Sequence, residues 1–242
     1  MPNPYFQFKQ FTIYHERCAM KVTTDACLFG SWCAEEIKKD TGETERKNLL
    51  EIGAGSGLLS LMIAQKNNCR IEAIEIDADA AQQAKENIRS SPWKEQIILH
   101  HNDVLDFSFS HSYDIIVTNP PFYENELRSG NTQKNTAHHD EGLKLSELAL
   151  LIKQTLSPAG NFYLLLPYKR EAEAEQILNN ENLFIEKKIL VSQSTSHAPF
   201  RLMIKGGHNK THQEEIKLAI TDDSKAYTKE FITLLKDYYL YL

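Results

Sequence analysis

The tetrapeptide formed by Asn119, Pro120, Pro121 and Phe122 has the composition of a hydrogen-bond clamp for an amino group. It directly follows an apolar run at 113–118 that predicts a strand. An exocyclic amine on an aromatic ring is a poor nucleophile because its lone pair is delocalised into the ring. The Asn119 side-chain oxygen and the Pro120 carbonyl can accept its two N–H groups and so localise that pair, while the prolines stiffen the backbone and add no competing N–H. Phe122 can stack on an extruded base, an interaction that contributes about 1–3 kcal/mol. The motif therefore favours transfer of a methyl group to a planar nitrogen.

A glycine turn upstream has the spacing of a nucleoside-binding loop. Gly53, Gly55 and Gly57 lie between an apolar run at 48–52 and an apolar helical segment at 58–66. Glycine permits positive φ and close approach of a ligand to the backbone. The spacing is GxGxG rather than the GxGxxG of dinucleotide folds, which favours a nucleoside without a pyrophosphate, such as S-adenosyl-L-methionine.

Acidic residues follow the predicted strands at positions suited to such a ligand. Glu75 ends the next strand, about 20 residues after the turn, where a carboxylate can accept from both ribose hydroxyls. Asp77 is expected to support the turn or cap the following helix, although Glu75 and Asp77 could exchange roles. Asp103 follows the third strand and could accept from an adenine amino group. The predicted cofactor contacts at this edge are Glu51, Gly53, Gly55, Gly57, Glu75, Ile76, Asp103, Val104 and Asn119.

The elements that must position these residues alternate between strand and helix. Predicted strands lie at 48–52, 70–76, 97–101, 113–118 and 161–166, and predicted helices at 58–66, 78–89 and 145–156, the last capped by Ser146 and ended by 158–160. Such alternation predicts an α/β fold, a Rossmann-like, mostly parallel sheet with helices on both faces. Later in the chain, 183–192 and 200–205 favour an antiparallel edge hairpin, 214–220 one more strand, and 226–240 a closing amphipathic helix.

The chain is expected to form a single domain over residues 1–242. Residues 1–47 form a predicted amino-terminal extension with a hairpin at 6–14, a helix starting at Thr23 or Thr24 and a loop at 40–47, and residues 48–242 form the catalytic core. With 41% hydrophobic and 25% charged residues the composition is that of a soluble globular protein. A net charge of −6 does not exclude a local basic surface.

Several function classes are disfavoured by what the sequence lacks. It contains no apolar run long enough for a membrane helix and no signal-like amino terminus, so a cytoplasmic location is expected. Its four cysteines form no CxxC pair, and the adjacent histidines 138 and 139 are poorly spaced for chelation, so no metal is expected. The apolar stripe of the last predicted helix is expected to pack on the domain itself, which predicts a monomer.

Taken together, these motifs resemble those of class I S-adenosylmethionine-dependent methyltransferases with an Asn-Pro-Pro-Phe/Tyr motif. The whole chain is similar to the bacterial tRNA1(Val) (adenine-37-N6)-methyltransferase family. The resemblance is carried by Phe8–Phe11, Met20–Trp32, Asn119–Tyr123 and Ala137–Asp140. It implies a seven-stranded sheet of order 3-2-1-4-5-7-6 with strand 7 antiparallel, S-adenosyl-L-methionine as cofactor and a tRNA adenine as substrate. It also implies cofactor contacts from the segment that contains Lys21, Thr24 and Asp25.

An RNA substrate requires cations and stacking side chains near the clamp. The loop after Phe122 is polar and could order over a substrate. The spacing of Arg201 and Lys205 in a predicted strand places them on one face. The RNA-binding hypothesis comprises Tyr123, Arg128, Lys134, His138, Arg201 and Lys205.

Three other functions remain open on the residues alone. A glutamine carboxamide fits the same clamp, so protein glutamine N5-methylation is one alternative, although Phe122 and the short extension favour a base. Guanine-N2 methylation of ribosomal RNA would use the same tetrapeptide. A non-catalytic RNA-binding protein is disfavoured because the glycine turn, Glu75, Asp103 and the clamp are all intact.

Overall fold

The amino-terminal part of the chain forms a small hairpin and a long helix. The structure, a computed structural model, describes residues 3–41, 46–120 and 143–242. Strands β1 (Tyr5–Gln7) and β2 (Thr12–Tyr14) pair antiparallel, and helix α1 spans Thr24–Thr41. The Thr23 hydroxyl accepts the Ala26 N–H at 3.4 Å and so caps α1. The predicted hairpin and helix start are both confirmed.

Strands and helices then alternate along the chain. They are β3 (Lys47–Ile52), α2 (Leu58–Lys66), β4 (Cys69–Glu75), α3 (Ala78–Arg89), β5 (Ile97–His101), β6 (Tyr113–Thr118), α4 (Leu145–Thr155), β7 (Leu156–Pro167), α5 (Glu171–Asn180), β8 (Phe184–Ser194), β9 (Pro199–Gly207), β10 (Glu214–Thr221) and α6 (Lys229–Leu235). Helix α5 has no counterpart among the predicted helices. Helix α6 is shorter than the predicted 226–240, since it starts after its cap Thr228, whose hydroxyl accepts the Phe231 N–H.

Strands β3 to β10 form one sheet in the order β10-β8-β9-β7-β6-β3-β4-β5. All its neighbours are parallel except β9, which is antiparallel to β7 and to β8. Counted from β3 to β9, this is the 3-2-1-4-5-7-6 order with strand 7 antiparallel. The seven-strand count is wrong, because β10 adds an eighth strand parallel to β8. The β8–β9 pair is therefore not at the edge, and the edge of β8 is covered rather than left with open backbone groups.

Strand β7 starts earlier than the sequence predicts. Pro158 and Gly160 were expected to end helix α4, yet the helix ends at Thr155 and both residues lie within β7. The pairing with β6 shifts register at this point, where Tyr113 pairs with Leu156 and the next pair lies five residues further along β7. A Cβ at Gly160 would lie 2.9 Å from the Asp114 carbonyl oxygen, so glycine permits this close approach.

Two helical layers cover the sheet. Helices α1, α2 and α6 pack on one face together with the aromatic residues of the β1–β2 segment, and α4 and α5 pack on the other. Residues 58–64 of α2 are buried all round, because α1 covers the side that faces away from the sheet. A Cβ at Gly30 of α1 would lie 2.8 Å from the Met62 sulfur, so the two helices cross in close contact.

The order in which the chain adds strands reverses at β3, whose parallel neighbours are β4 on one side and β6 on the other. In open α/β sheets such a switch point leaves a crevice at the carboxyl ends of the strands, where ligands bind. The glycine turn follows β3 and the clamp motif follows β6, so both lie at this crevice. No helix in the described part of the chain is long and apolar enough to cross a membrane.

Candidate active site

The glycine turn after β3 exposes bare backbone to the crevice. Gly53, Gly55 and Gly57 all have positive φ, at 75°, 53° and 80°. A Cβ added at Gly53 or Gly55 would meet no atom within 4 Å, whereas one at Gly57 would touch Ala84 of α3 at 3.6 Å. Gly57 therefore serves packing against α3, and the first two glycines leave open space above the turn. That space suits close approach of a nucleoside to the backbone.

Glu75 connects the glycine turn to the end of β4. One oxygen of its carboxylate accepts the Gly55 N–H at 2.7 Å, and the other accepts the Asp77 N–H at 2.9 Å. Asp77 caps α3 by accepting the Ala80 N–H at 2.8 Å. The expected capping role of Asp77 is confirmed. Glu75 is largely buried and ends β4 at the crevice. Its contact with ribose hydroxyls stays a proposal.

Glu51 lies beneath the turn rather than in the crevice. Its side chain is fully buried, and one carboxylate oxygen accepts both the Ser60 N–H, at 3.1 Å, and the Ser60 hydroxyl. Burial raises the pKa of Glu51 to about 8, which outweighs the opposing effect of the two Ser60 hydrogen bonds. Glu51 therefore anchors the first turn of α2 and supports the cofactor loop from below, without a surface that could touch a ligand directly.

The predicted adenine contacts lie on the β4 and β5 side of the crevice. Asp103 is partly exposed, and its Oδ1 accepts the Leu105 N–H at 2.9 Å, which orders the turn after β5. Val104 is buried beside it, whereas the Ile76 side chain is 61% exposed. An exposed apolar side chain between two acidic residues offers an apolar contact to a planar ring. Contact of Ile76 and Asp103 with an adenine remains a proposal.

The segment between the hairpin and α1 contacts α3, where Arg17 Nε donates to the Gln83 side-chain oxygen at 3.3 Å. Burial, followed by the charges of Glu75 and Asp77, raises the pKa of the Cys18 thiol to about 11. The buried His15 holds this segment, because its Nδ1 accepts the Val22 N–H at 3.4 Å. Lys21 follows in this segment and is exposed, so its contact with the cofactor stays a prediction.

Thr24 and Asp25, two of the predicted cofactor contacts, lie at the start of α1. Thr24 is exposed, and Asp25 accepts from Arg201 Nε at 2.7 Å. This ion pair joins a predicted cofactor residue to a predicted RNA-binding residue, which sequence reasoning kept apart. The guanidinium of Arg201 also lies 5.3 Å from the centre of the Phe200 ring.

The clamp motif begins at the end of β6, opposite the glycine turn. The buried Thr118 donates its hydroxyl to the Ile52 carbonyl at 2.8 Å, which joins the carboxyl ends of β6 and β3. Asn119 is half-buried and Pro120 is buried. Pro121, Phe122, Tyr123, Arg128, Lys134 and His138 lie outside the described residues, so their assignments stay predictions. The tie at Thr118, which the sequence did not indicate, brings the clamp and the cofactor turn to adjacent strand ends.

Lys205 does not fit the RNA-binding role that its sequence position suggested. Its side chain is 10% exposed and bonds to Asp40 of α1 at 2.7 Å, with Glu186 at 3.7 Å. Arg201 does share its face of β9, but that face is covered by α1 rather than by solvent. We therefore drop Lys205 from the RNA-binding proposal and keep Arg201, whose side chain is 36% exposed. No cluster of metal-ligating side chains occurs within residues 3–41, 46–120 and 143–242.

Comparisons with known proteins agree with this fold. Residues 33–180 match the family model of the methyltransferase small domain. A tRNA1(Val) (adenine(37)-N6)-methyltransferase of Phocaeicola vulgatus is 36% identical over 242 residues, covering 99% of each chain. A predicted O-methyltransferase from Agrobacterium tumefaciens superposes with a TM-score of 0.64 at 14% identity, covering 88% of this chain and 96% of that one. A putative class I S-adenosylmethionine-dependent methyltransferase from Listeria monocytogenes gives a TM-score of 0.61 at 14% identity, covering 82% and 67% of the two chains.

The two solved structures define the fold as that of class I methyltransferases. The relative from Phocaeicola vulgatus shows more than the fold, because its 36% identity extends over 99% of each chain. The chain belongs to the family of tRNA1(Val) (adenine(37)-N6)-methyltransferases.

Proposed function

We propose that the protein transfers a methyl group from S-adenosyl-L-methionine to the N6 amine of an adenine in tRNA, with adenine 37 of tRNA1(Val), next to the anticodon, as the target. The observation that carries the proposal is the placement of Asn119 and Pro120 at the end of β6, tied through Thr118 to the strand that leads into the glycine turn. The names of the relatives support the choice of RNA and of base. A monomer acting in the cytoplasm, where tRNA is found, is part of the same proposal.

The residues of the crevice fit the cofactor. The open space above Gly53 and Gly55 would take its nucleoside, Glu75 its ribose hydroxyls, and Ile76 with Asp103 its adenine. When bound, S-adenosyl-L-methionine supplies a methyl group on a positively charged sulfur. The acidic residues around the turn suit a positively charged ligand.

The clamp then acts on the substrate amine. The Asn119 side-chain oxygen and the Pro120 carbonyl accept the two N6 hydrogens and direct the nitrogen lone pair toward the cofactor side of the crevice. Their contribution is largest in the transition state, in which the amine gains positive charge and its N–H groups become stronger donors. Because the alkylated amine loses its proton readily, alignment rather than a strong base accounts for most of the rate in this scheme.

The test is labelled methyl transfer into RNA. Total RNA from a strain lacking the gene is incubated with the protein and labelled cofactor, and its nucleosides are resolved by mass spectrometry. N6-methyladenosine in the valine tRNA fraction is the expected product. Label in N2-methylguanosine, or in a release-factor-like protein incubated in parallel, would show that the proposed substrate is wrong. The clamp mechanism would still apply, because both of those substrates also present an amino group.

Asn119→Ala separates the clamp from the cofactor site. It should lower kcat by about 10²–10³-fold, the usual effect of removing one preorganised transition-state hydrogen bond. The affinity for S-adenosylhomocysteine, for which Asn119 is only one of several predicted contacts, should stay near wild type. The matched control is Asn180→Ala, an exposed asparagine at the far end of α5, which should leave kcat unchanged. Wild-type turnover in Asn119→Ala would refute the clamp mechanism.

A further inference from the structure

A second cleft opens at the same edge of the sheet as the clamp. It has a volume of about 410 Å³ and its lining includes Thr24, Gln193, Phe200, Thr221, Lys225 and Tyr227. These residues come from the amino end of α1, the carboxyl ends of β8 and β10, the amino end of β9 and the segment between β10 and α6. The carboxyl ends of the parallel strands and the amino end of antiparallel β9 all lie at the edge where Asn119 follows β6.

A hydrogen-bonded turn presents one wall of this cleft. The Asp222 carboxylate accepts the Ser224 and Ala226 N–H groups at 2.8 and 3.1 Å, and the Lys225 N–H bonds to the Asp222 carbonyl at 3.0 Å. These bonds hold Lys225 at φ 66°, a left-handed conformation that a lysine rarely adopts. Backbone conformations of this kind, when held by their surroundings, occur often at ligand sites.

Tyr227 forms a platform at the mouth of the cleft. One face of its ring stacks on Phe231, with centroids 4.6 Å apart and planes 19° from parallel. The side chain remains 49% exposed, although Phe231 beneath it is fully buried. A rigid ring supported from one side and open on the other is the arrangement that stacks on an unpaired base.

The remaining groups of the cleft offer polar contacts. Gln193 is exposed, and its side-chain amide makes no hydrogen bond within the described part of the chain. An amide carries both donors and acceptors and so can read a base edge. Lys225 supplies a positive charge at the mouth, and the negative charge of Asp25 in the wall is neutralised by Arg201 at 2.7 Å. Together these groups match three features of a nucleotide: the flat face of the base, its polar edge and the phosphate.

The distance from the clamp also suits an RNA strand. Strand β8 is three positions from β6 in the sheet, past β7 and β9. At about 4.8 Å between neighbouring strands the cleft lies roughly 14 Å from Asn119. Stacked nucleotides rise about 3.4 Å each, so this span corresponds to about four of them, or fewer if the strand is splayed.

We propose that this cleft binds an unpaired nucleotide of the RNA substrate, a few positions from the methylated adenine, with its base on Tyr227, its edge at Gln193 and its phosphate at Lys225. This inference rests on the proposed function, because it takes RNA to be the substrate. The cleft would then contribute affinity and register rather than chemistry, since it lies too far from Asn119 to touch the reacting amine.

Steady-state kinetics on valine tRNA test the inference with Tyr227→Ala and Gln193→Ala. Tyr227→Ala should raise the KM for tRNA by about 10–100-fold, in line with the loss of one base-stacking contact, and Gln193→Ala by a smaller factor. In both variants kcat and the affinity for S-adenosylhomocysteine should stay near wild type, because the cleft lies roughly 14 Å from Asn119 and neither residue belongs to the glycine turn. Tyr227→Phe keeps the ring and should restore the wild-type KM.

The controls separate a binding role from a structural one. Tyr241→Ala removes a tyrosine that is 92% exposed and outside the cleft, and should leave KM unchanged. Gln193→Ala removes an exposed side chain, so a raised KM with an unchanged Tm reports binding. Wild-type protein that methylates no RNA would refute the proposed function and this inference with it. Active wild-type protein, with KM unchanged in both cleft variants, would refute the cleft alone.

Discussion

Glu51 gives the fold a dependence on pH that can be worked out from its surroundings. Glu51 is 1% exposed, and burial raises the pKa of its carboxyl group from 4.5 to about 8. In the unfolded chain the same group ionises near its ordinary value. Between about pH 4.5 and 8 the folded protein therefore holds a proton that the unfolded chain has released.

The sign follows from this difference in bound protons. Since the folded state binds more protons, the contribution of Glu51 to stability is fully present below the unfolded pKa and is lost as pH rises through the folded pKa. The slope inside the window is about 1.4 kcal/mol per pH unit. From pH 6 to pH 8 the loss should be about 2 kcal/mol, because the slope flattens as the folded pKa is reached.

Glu51→Gln removes the titration while keeping the shape of the protonated side chain, including an oxygen that can accept from Ser60. The assay is urea unfolding at several pH values from 5.5 to 8.5, followed by the fluorescence of the buried Trp32. The free energy of unfolding of the wild type, minus that of the variant, should fall by about 2 kcal/mol from pH 6 to pH 8. Other titrating groups cancel in this difference.

Glu86→Gln is the matched control for this experiment. Glu86 lies on the surface of α3, where hydrogen bonds from Gln82 and Arg17 lower its pKa, so it is ionised throughout the range tested. The difference between wild type and Glu86→Gln should therefore be flat with pH. A flat difference for Glu51→Gln as well would refute the argument, because it would mean that Glu51 is ionised in the folded protein at pH 6.

Three further substitutions follow from contacts in the structure, and each is measured by urea or thermal unfolding. Asp77→Ala removes the cap of α3 and should cost about 1 kcal/mol, whereas Asp77→Asn, which keeps an acceptor, should cost less. Gly206→Ala places a Cβ 2.5 Å from the Phe162 ring and should destabilise the protein by about 1–3 kcal/mol through overpacking. Wild-type stability in this variant would show that the two residues are not in such close contact. Lys205→Ala breaks the ion pair with Asp40 and should lower the free energy of unfolding by about 1–3 kcal/mol. The loss should be smaller than for a fully buried pair, because the Asp40 side chain is 39% exposed. A change in RNA affinity at unchanged stability would contradict the structural role of Lys205.

The central part of the fold could be predicted because its signals are local. The glycine turn, the cap at Asp77 and the hairpin at 6–14 each depend on residues within a few positions of one another. The start of β7 could not be read in the same way, since Pro158 and Gly160 after a helical pattern usually end a helix and leave a loop. Here the register shift against β6 takes those residues into the sheet, and only the partner strand determines that shift.

Contacts between distant parts of the chain account for the errors in the site. Lys205 follows Arg201 by four residues in one strand, a spacing that suggested a pair of surface cations, but its partner Asp40 lies 165 residues earlier. The ion pair of Arg201 with Asp25 spans 176 residues. Sequence spacing correctly placed both cations on one face of β9, yet it could not show that α1 covers that face. The cleft at Tyr227 was missed for the same reason, because its lining comes from five separate segments.

Glu75 shows how the fold prepares the cofactor turn before any ligand arrives. Its two oxygens already accept one N–H each, from Gly55 and Asp77, so the acid holds the turn and the start of α3 in fixed relation. Each carboxylate oxygen has a second lone pair, and the pair of them can still accept two ribose hydroxyls. In the proposed complex the ribose would therefore add hydrogen bonds without breaking those that shape the loop. The positive φ at Gly55 is part of the same arrangement, since it turns the Gly55 N–H toward Glu75. The entropy cost of ordering the loop is therefore met when the chain folds rather than when a ligand binds.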